Sequence, residues 1–249
     1  MIELKNVQFS YENVSALKDI NLTIAAGESV ALLGSNGCGK STLLKMLNGI
    51  LFPQKGAYYF QGDKVSKSSM KDATFAKGLH QKIGFIFQNS DTQLFCTNVY
   101  EEIAFAPRQM GLEEKEVRKR VEDCLRLLNL EEFQNRTPYH LSGGEKKKVA
   151  LACILSMNPD IIVLDEPWNG LDPKTQRWLM NFLKELNARG KTIILSTHNL
   201  EFLEELTARA ILFNEEHQIV ADQKLEEILC NEKLLKEVNL VDQTYRYRV

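Results

Sequence analysis

Gly34-Ser35-Asn36-Gly37-Cys38-Gly39-Lys40-Ser41-Thr42 stands between an apolar run, Ser29-Val30-Ala31-Leu32-Leu33, and a helix-patterned segment, Leu43-Leu44-Lys45-Met46-Leu47. It fits G-x-x-x-x-G-K-[ST], a pattern whose physical content is a cage for phosphate oxygens. Glycines at 34, 37 and 39 let the backbone curl with its N–H groups inward, and the following helix adds its positive N-terminal end. Lys40 is expected to reach the β- and γ-phosphates of a nucleotide, and the Ser41 hydroxyl to take a Mg²⁺ ion. A strand before and a helix after supply the context that this pattern requires and that a ligand-free glycine turn does not. Cys38, at a helix start inside a positive loop, is expected to have a lowered thiol pKa.

Upstream, residues 1 to 33 carry short apolar or alternating runs, Ile2-Glu3-Leu4-Lys5-Asn6-Val7 and Leu22-Thr23-Ile24, broken at Glu12-Asn13 and Ala26-Gly27. They read as strands of an antiparallel sheet. Tyr11 falls in a turn before the phosphate loop. Its ring fits either edge packing or a platform on which adenine stacks; the motifs below tip it toward adenine.

Downstream, Gly56-Ala57-Tyr58-Tyr59-Phe60 and Gln61-Gly62-Asp63 form one arm of a hairpin, and residues 64 to 80 read as a surface loop with one helical turn. Ile83-Gly84-Phe85-Ile86-Phe87 is a strand ending on Gln88. Two amphipathic helices follow, one with Val99, Ile103, Ala106 and Met110 on a face, the other with Val117, Val121, Leu125 and Leu128. Leu141-Ser142-Gly143-Gly144-Glu145 opens a buried helix whose Lys146-Lys147-Lys148 reads as a solvated face. Ile161-Ile162-Val163-Leu164 and Thr192-Ile193-Ile194-Leu195 are β-branched runs without polar alternation, the mark of strands covered on both faces. Strands alternating with helices imply a parallel sheet with functional groups at its C-terminal ends, where Gln88, Asp165, Glu166 and His198 fall.

Composition narrows the class. In 249 residues, 44% are apolar, enough for a full core, and 31 basic against 33 acidic residues leave a charge of -2. No global field recruits nucleic acid, so no nucleic-acid partner is expected. No apolar run approaches the roughly 18 residues that span a bilayer, and the start lacks a signal-peptide layout, so a cytoplasmic chain is expected. Five scattered cysteines without a C-x-x-C pair read as reduced thiols.

The phosphate loop, Gln88 after a strand, Leu-Ser-Gly-Gly-Glu, Ile-Ile-Val-Leu-Asp-Glu and Ser-Thr-His resemble, in content and order, the nucleotide-binding subunits of ATP-binding cassette (ABC) transporters. Within that family, Phe87-Gln88-Asn89-Ser90-Asp91-Thr92-Gln93-Leu94-Phe95 and Glu101-Glu102-Ile103-Ala104-Phe105-Ala106-Pro107 are similar to the ATPases of energy-coupling factor (ECF) importers, with Ser90 where Pro is usual. The resemblance implies an α/β fold: a P-loop NTPase core with a mostly parallel sheet, an N-terminal antiparallel β-subdomain and an α-helical insertion. It implies an ATPase domain over 1–222, with a helical subdomain at about 89–158, and a short helical tail over 223–249.

ATP hydrolysis needs a water aimed at the γ-phosphate, and cations or donors on the phosphate oxygens. Asp165 is expected to hold Mg²⁺ through water with Ser41 as direct ligand, Glu166 to act as general base, His198 to donate to the γ-phosphate, and Gln88 to contact metal or water. Asp165-Glu166 also fits a solvated strand end, and His198 a helix-cap neighbour; their joint order favours the chemical reading. Ser142-Gly143-Gly144-Glu145 fits a capping box. The resemblance instead sends this helix start across a dimer interface to ATP held by a second ABC ATPase subunit, and Glu145, standing for the usual Gln, weakens that sandwich. Asp172 matches a loop coupling the two sites, and Trp168 is either packed or an anchor at the dimer seam. The expected function is ATP hydrolysis powering a membrane importer for vitamins or transition-metal ions. The chain then sits on the cytoplasmic side of the membrane, with a transmembrane coupling subunit and a substrate-binding membrane subunit. A non-transport ABC ATPase and a small-molecule kinase are the alternatives.

Overall fold

The computed structural model describes residues 1–242, 244 and 245. Its first two strands, β1 (Ile2–Tyr11) and β2 (Val14–Ile24), pair antiparallel around a turn at residues 12 and 13. Ile2, Leu4 and Val7 are all buried although the step from 4 to 7 is odd. A register shift between Leu4 and Val7 re-phases the strand there, with Asn6 at φ 48.

The next strand, β3 (Ser29–Leu33), leaves that sheet. The reading of residues 1 to 33 as one antiparallel sheet holds for β1 and β2 and fails for β3, which pairs parallel with two strands from far later in the chain. The reason lies in its residues: Val30 and Leu32 point into one core and Ala31 and Leu33 into another, which suits a central strand covered on both faces.

Helix α1 (Lys40–Leu47) follows, then β4 (Lys55–Phe60) and β5 (Asp63–Val65), joined by Gln61 and Gly62, both at positive φ as a tight hairpin of this kind requires. Strand β4 pairs with β1, giving a four-stranded sheet in the order β2-β1-β4-β5. Residues 64 to 80, expected as a loop, contain most of a ten-residue helix, α2 (Ala73–Lys82), started by the Asp72 carboxylate accepting from the amides of Thr74 and Phe75. Within α2 only Leu79 is fully buried, with Phe75 packed half-buried on the same core, so the apolar stripe is short. Its helicity rests on the cap and on mostly exposed residues.

Strand β6 (Ile83–Ile86) leads into three helices, α3 (Val99–Gln109), α4 (Glu114–Leu128) and α5 (Gly143–Leu155). In α4 the expected face is buried. In α3, Val99 and Ile103 are buried, but Glu102 and Pro107 take the places expected for Ala106 and Met110, which are half-buried. The core sheet then gains β7 (Ile161–Asp165), crosses over through α6 (Pro173–Ala188), and gains β8 (Thr192–Thr197). A short helix, α7 (Leu203–Leu206), precedes β9 (Arg209–Phe213) and β10 (Ile219–Lys224). Helices α8 (Leu225–Cys230) and α9 (Glu232–Glu237) close the chain, burying Leu225, Ile228, Leu229 and Leu235. The tail expected as helical over 223–249 starts in strand β10, which runs to Lys224, and is helical at α8 and α9; residues 243 and 246–249 lie outside the described residues.

The six-stranded order is β10-β9-β3-β8-β7-β6, parallel throughout except at β10. One face carries α1 and the four-stranded sheet, the other carries α3 to α6. Strand β8 lies between β3 and β7 although it follows both in sequence, so its C-terminal end is interposed between the glycine-rich loop and Asp165.

Candidate functional site

The loop from 34 to 39 is set by backbone that excludes other residues at two positions. Gly34 has φ 146, and a Cβ there would lie 2.6 Å from Cys38 Sγ and 2.9 Å from the Phe213 carbonyl oxygen. Gly39 has φ 113, and a Cβ there would lie 2.3 Å from the Ala16 carbonyl oxygen. Gly39 also starts α1 without a side-chain cap, which leaves the first amides of the helix free to meet an anion. Lys40 is buried and folds back along the loop, its ammonium donating to the carbonyls of Gly34 (2.6 Å) and Ser35 (3.0 Å). The expectation for Cys38 is corrected. The side chain is buried, and burial pushes its thiol above the usual value against the smaller pull of Lys40.

Asp165 ends β7 and is buried; its Oδ1 accepts from the Ser41 hydroxyl at 2.9 Å and from the Ser196 hydroxyl at 2.6 Å. One residue on, Glu166 adopts φ 44, a left-handed backbone that costs a non-glycine residue about 1–2 kcal/mol. Its amide donates to both the carbonyl and the hydroxyl of Ser196, each at 3.1 Å. His198 Nδ1 is 2.9 Å from Glu166 Oε1, and since an ionised carboxylate can only accept, Nδ1 carries the proton and Nε2 is left free. Glu166 Oε2 and the Ser35 hydroxyl are buried with no hydrogen-bond partner among the described residues. Buried polar atoms of this kind are what a water and a phosphate group would satisfy.

Asn36, Gly37 and the 39–42 stretch, together with Gln88, Glu166, Asn169 and His198, line one cleft of about 360 Å³. The structure therefore brings together loop, general-base candidate, Gln88 and His198. Tyr11 stands apart from this cleft, half-exposed and edge-on to Phe9. Ser142 to Glu145 are outside it as well. Ser142 and Glu145 close the capping box on α5: Glu145 Oε2 accepts from the Ser142 amide (2.7 Å) and hydroxyl (2.8 Å). These bonds hold the Glu145 carboxyl below its usual range. Gly143 and Gly144 face Gly170 and Thr175 of the same chain. Asp172 caps α6, accepting from the amides of Lys174 and Thr175 and from the Thr175 hydroxyl, all of which hold its carboxyl low.

Of the two readings of Trp168 the structure favours the packed one: it is 2% exposed and lies against Phe202 with ring centres 6.1 Å apart. One further expectation changes. Lys146-Lys147-Lys148 is not a solvated face. Lys146 pairs with Asp91 at 2.6 Å, Lys148 stands 4.9 Å over the Trp178 ring, and Lys147 is 2% exposed. Sequence reasoning missed Ser196 and Asn169 as site residues. Ser196 had a signal, since it lies next to the end of β8, two residues before His198; Asn169 had none that spacing could read.

No group of three His, Cys, Asp or Glu side chains among the described residues is placed to hold a metal ion. The Ser41 hydroxyl and the Asp165 carboxylate, 2.9 Å apart, are oxygen donors of the kind Mg²⁺ takes.

With that geometry in view, the match to known proteins is specific. The ABC transporter family model matches residues 17–169, from β2 to the loop after Glu166. This chain belongs to the ABC transporter family. Its core is the ABC ATPase fold, and its activity is the ATP hydrolysis that such subunits couple to transport; a small-molecule kinase is set aside. The chain is 51% identical over 241 residues to a putative ABC transporter ATP-binding protein of Clostridium acetobutylicum, covering 97% of this chain and 100% of the relative. It is 47% identical over 222 residues to the nickel import ATP-binding protein LarO of Lactiplantibacillus plantarum (89% and 92% covered). To the energy-coupling factor transporter ATP-binding protein EcfA of Methanothermobacter thermautotrophicus it is 42% identical over 241 residues (96% and 76%). Among solved structures, cbiO1 of Clostridium perfringens, part of the ABC transporter complex cbiONQ, superposes with a TM-score of 0.81 at 34% identity (96% and 94% covered). A dimeric ATP-binding cassette in a post-hydrolysis state, bound to ADP and Pi, superposes with a TM-score of 0.80 at 33% identity (90% and 99%). The ABC ATPases it resembles thus include a nickel import protein, an energy-coupling factor transporter protein and a dimer. No helix among the described residues is long and apolar enough to cross a membrane.

Proposed function

We propose that this chain is the motor of an ECF-type importer for a vitamin or a transition-metal ion, working at the cytoplasmic face of the membrane as one of two ATPases. The observation that carries the reading is the cleft itself, where the 36–42 loop, Glu166, Gln88 and His198 converge. Residues 1–222 act as the ATPase domain with a helical subdomain at about 89–158, and 223–249 as a tail.

In this reading the amides of residues 34 to 42, including Ser35, Asn36, Cys38 and Thr42, cradle the phosphates, and Lys40 turns from its own loop carbonyls toward the β- and γ-phosphates. Tyr11 offers its ring to adenine. Mg²⁺, when bound, would supply positive charge against that of the phosphates. Ser41 and Asp165 would hold it, with Gln88 in the same cleft. Glu166 takes the proton from the attacking water, its free Oε2 being the acceptor, while His198 holds Oε1 from Nδ1 and donates toward the γ-phosphate from Nε2 when both ring nitrogens carry a proton.

Ser142 to Glu145 border no part of the cleft on their own chain; as the resemblance to the ABC family implies, they serve ATP held by the second subunit, and Asp172 links the two sites. A membrane coupling subunit docks in the groove of about 250 Å³ between α2, β6, α3 and α5, at whose edge Phe95 and Phe105 meet edge-on and exposed. A substrate-binding membrane subunit completes the assembly and chooses the cargo. Mixing Lys40→Ala with Ser142→Arg chains tests the dimer: hydrolysis returns to at most one working site, and robust hydrolysis by either variant alone refutes it. Detergent extraction of the tagged chain is expected to bring membrane proteins with it; recovery of ribosomes or DNA instead would favour a non-transport ABC ATPase.

A further inference from the structure

Lys147 is a buried cation with no carboxylate in ion-pair contact among the described residues, Asp165 acting on it only from farther off. It sits one turn into α5, 2% exposed, and among the described residues no Asp or Glu lies within ion-pair distance of its ammonium. Burying an unpaired cation is costly, and a methionine or leucine would fill this turn without that cost. What the ammonium reaches is two consecutive carbonyls, Phe87 O and Gln88 O, each at 3.4 Å. Those carbonyls belong to the segment that leaves β6, an edge strand, and carries Gln88 into the nucleotide cleft.

The rest of that segment is tied down nearby. Gln93 stands in for a missing neighbouring strand, accepting from the Phe87 amide at 3.3 Å and donating to Phe85 O at 3.2 Å. Lys146 holds Asp91. Lys147 thus grips Gln88's own peptide from the helix that begins with Ser142 to Glu145. A shift of that helix start moves the ammonium, and the carbonyl at Gln88 moves with it.

We propose that Lys147 is a positioning residue for ATP hydrolysis: it fixes the backbone at Gln88 from α5, so that the Gln88 side chain takes its working place when the start of α5 seats on nucleotide. This rests on the reading of Gln88 given above. Lys147 does not line the nucleotide cleft and acts through Gln88.

The test is a double-mutant cycle on the full chain, measuring kcat and KM for ATP in wild type, Lys147→Met, Gln88→Ala and the double variant. Lys147→Met is expected to lower kcat about tenfold with KM within about twofold, since misplacing a group by a fraction of an ångström is enough. In the Gln88→Ala background the same change is expected to cost less than about twofold, because both act through one side chain. Lys147→Arg, which keeps the donors, is expected to restore most of the rate. Should Lys147→Met fail to fold, Lys147→Gln, uncharged and too short to reach both carbonyls, carries the same cycle. Equal losses from Lys147→Met with and without Gln88 overturn this inference alone, as does an unchanged kcat. An unchanged kcat in Gln88→Ala overturns the reading of Gln88 and the inference with it.

Discussion

Ser196→Ala isolates one hydroxyl at the junction of the phosphate loop and the carboxylates. Ser196 Oγ donates to Asp165 at 2.6 Å and accepts from the Glu166 amide at 3.1 Å, and the residue is fully buried. Removing it leaves no orphan, because the Glu166 amide keeps the Ser196 carbonyl at 3.1 Å and Asp165 Oδ1 keeps Ser41 at 2.9 Å. The loss is therefore one buried hydrogen bond to a charged acceptor, about 1.5–3 kcal/mol. At about 2–4 °C per kcal/mol for a chain of this size, the midpoint of thermal unfolding should fall by about 3–12 °C. Asp165 then rests on Ser41 alone, so the Mg²⁺ concentration giving half-maximal hydrolysis should rise as well. The assay is a melt without nucleotide together with a Mg²⁺ titration of ATPase rate. A midpoint within about 1 °C of wild type, with an unchanged Mg²⁺ requirement, refutes the reasoning.

Glu145→Gln keeps an acceptor for the Ser142 amide but removes the charge, so stability should drop by less than about 1 kcal/mol while ATP-driven dimerisation strengthens. An unchanged dimerisation constant counts against the charge argument. Because the Glu145 carboxyl is held low in the folded chain, its contribution is full above its ordinary value near about 4.3 and is lost as pH falls below it. The stability gap between wild type and Glu145→Gln should accordingly hold down to pH of about 4 and close below it, as melts at neutral pH and at pH of about 3 would reveal. Cys38, buried and with a raised thiol pKa, should react with maleimide more slowly than exposed Cys230 at neutral pH and speed up with pH; peptide mapping that finds Cys38 labelled first contradicts this. Phe105→Asp in the apolar groove should abolish co-purification of membrane partners while leaving the isolated chain's ATPase rate within about twofold; retained partners would place the docking elsewhere.

Much of the fold was legible because its signals are local. The strands at 161–164 and 192–195 announce burial on both faces by their unbroken apolar runs, and α4 announces its stripe by period. Helix α2 was not legible, since it fully buries Leu79 alone and owes its start to Asp72. The membership of β3 was misread because strand pairing is decided by residues more than 150 positions away, which no local pattern encodes. Lys147 was misread for a related reason: charge in a helix's first turns reads as solvated until the loop that covers it, 60 residues earlier, is in place.

By itself the sequence determined the parts of the site: a loop in which Gly34 and Gly39 are required by backbone geometry, two carboxylates ending a buried strand, Gln88 and His198 ending two more, and the order that marks the ABC family. Only the tertiary structure decided how they connect. By inserting β8 between β3 and β7, the sheet makes Ser196 the hydroxyl that joins Asp165 to the Glu166 amide, and by folding α5 onto the end of β6 it turns a lysine into a tether for Gln88. The physical reason is that a motif specifies which groups are present, whereas hydrogen bonds between groups distant in sequence depend on which strands become neighbours.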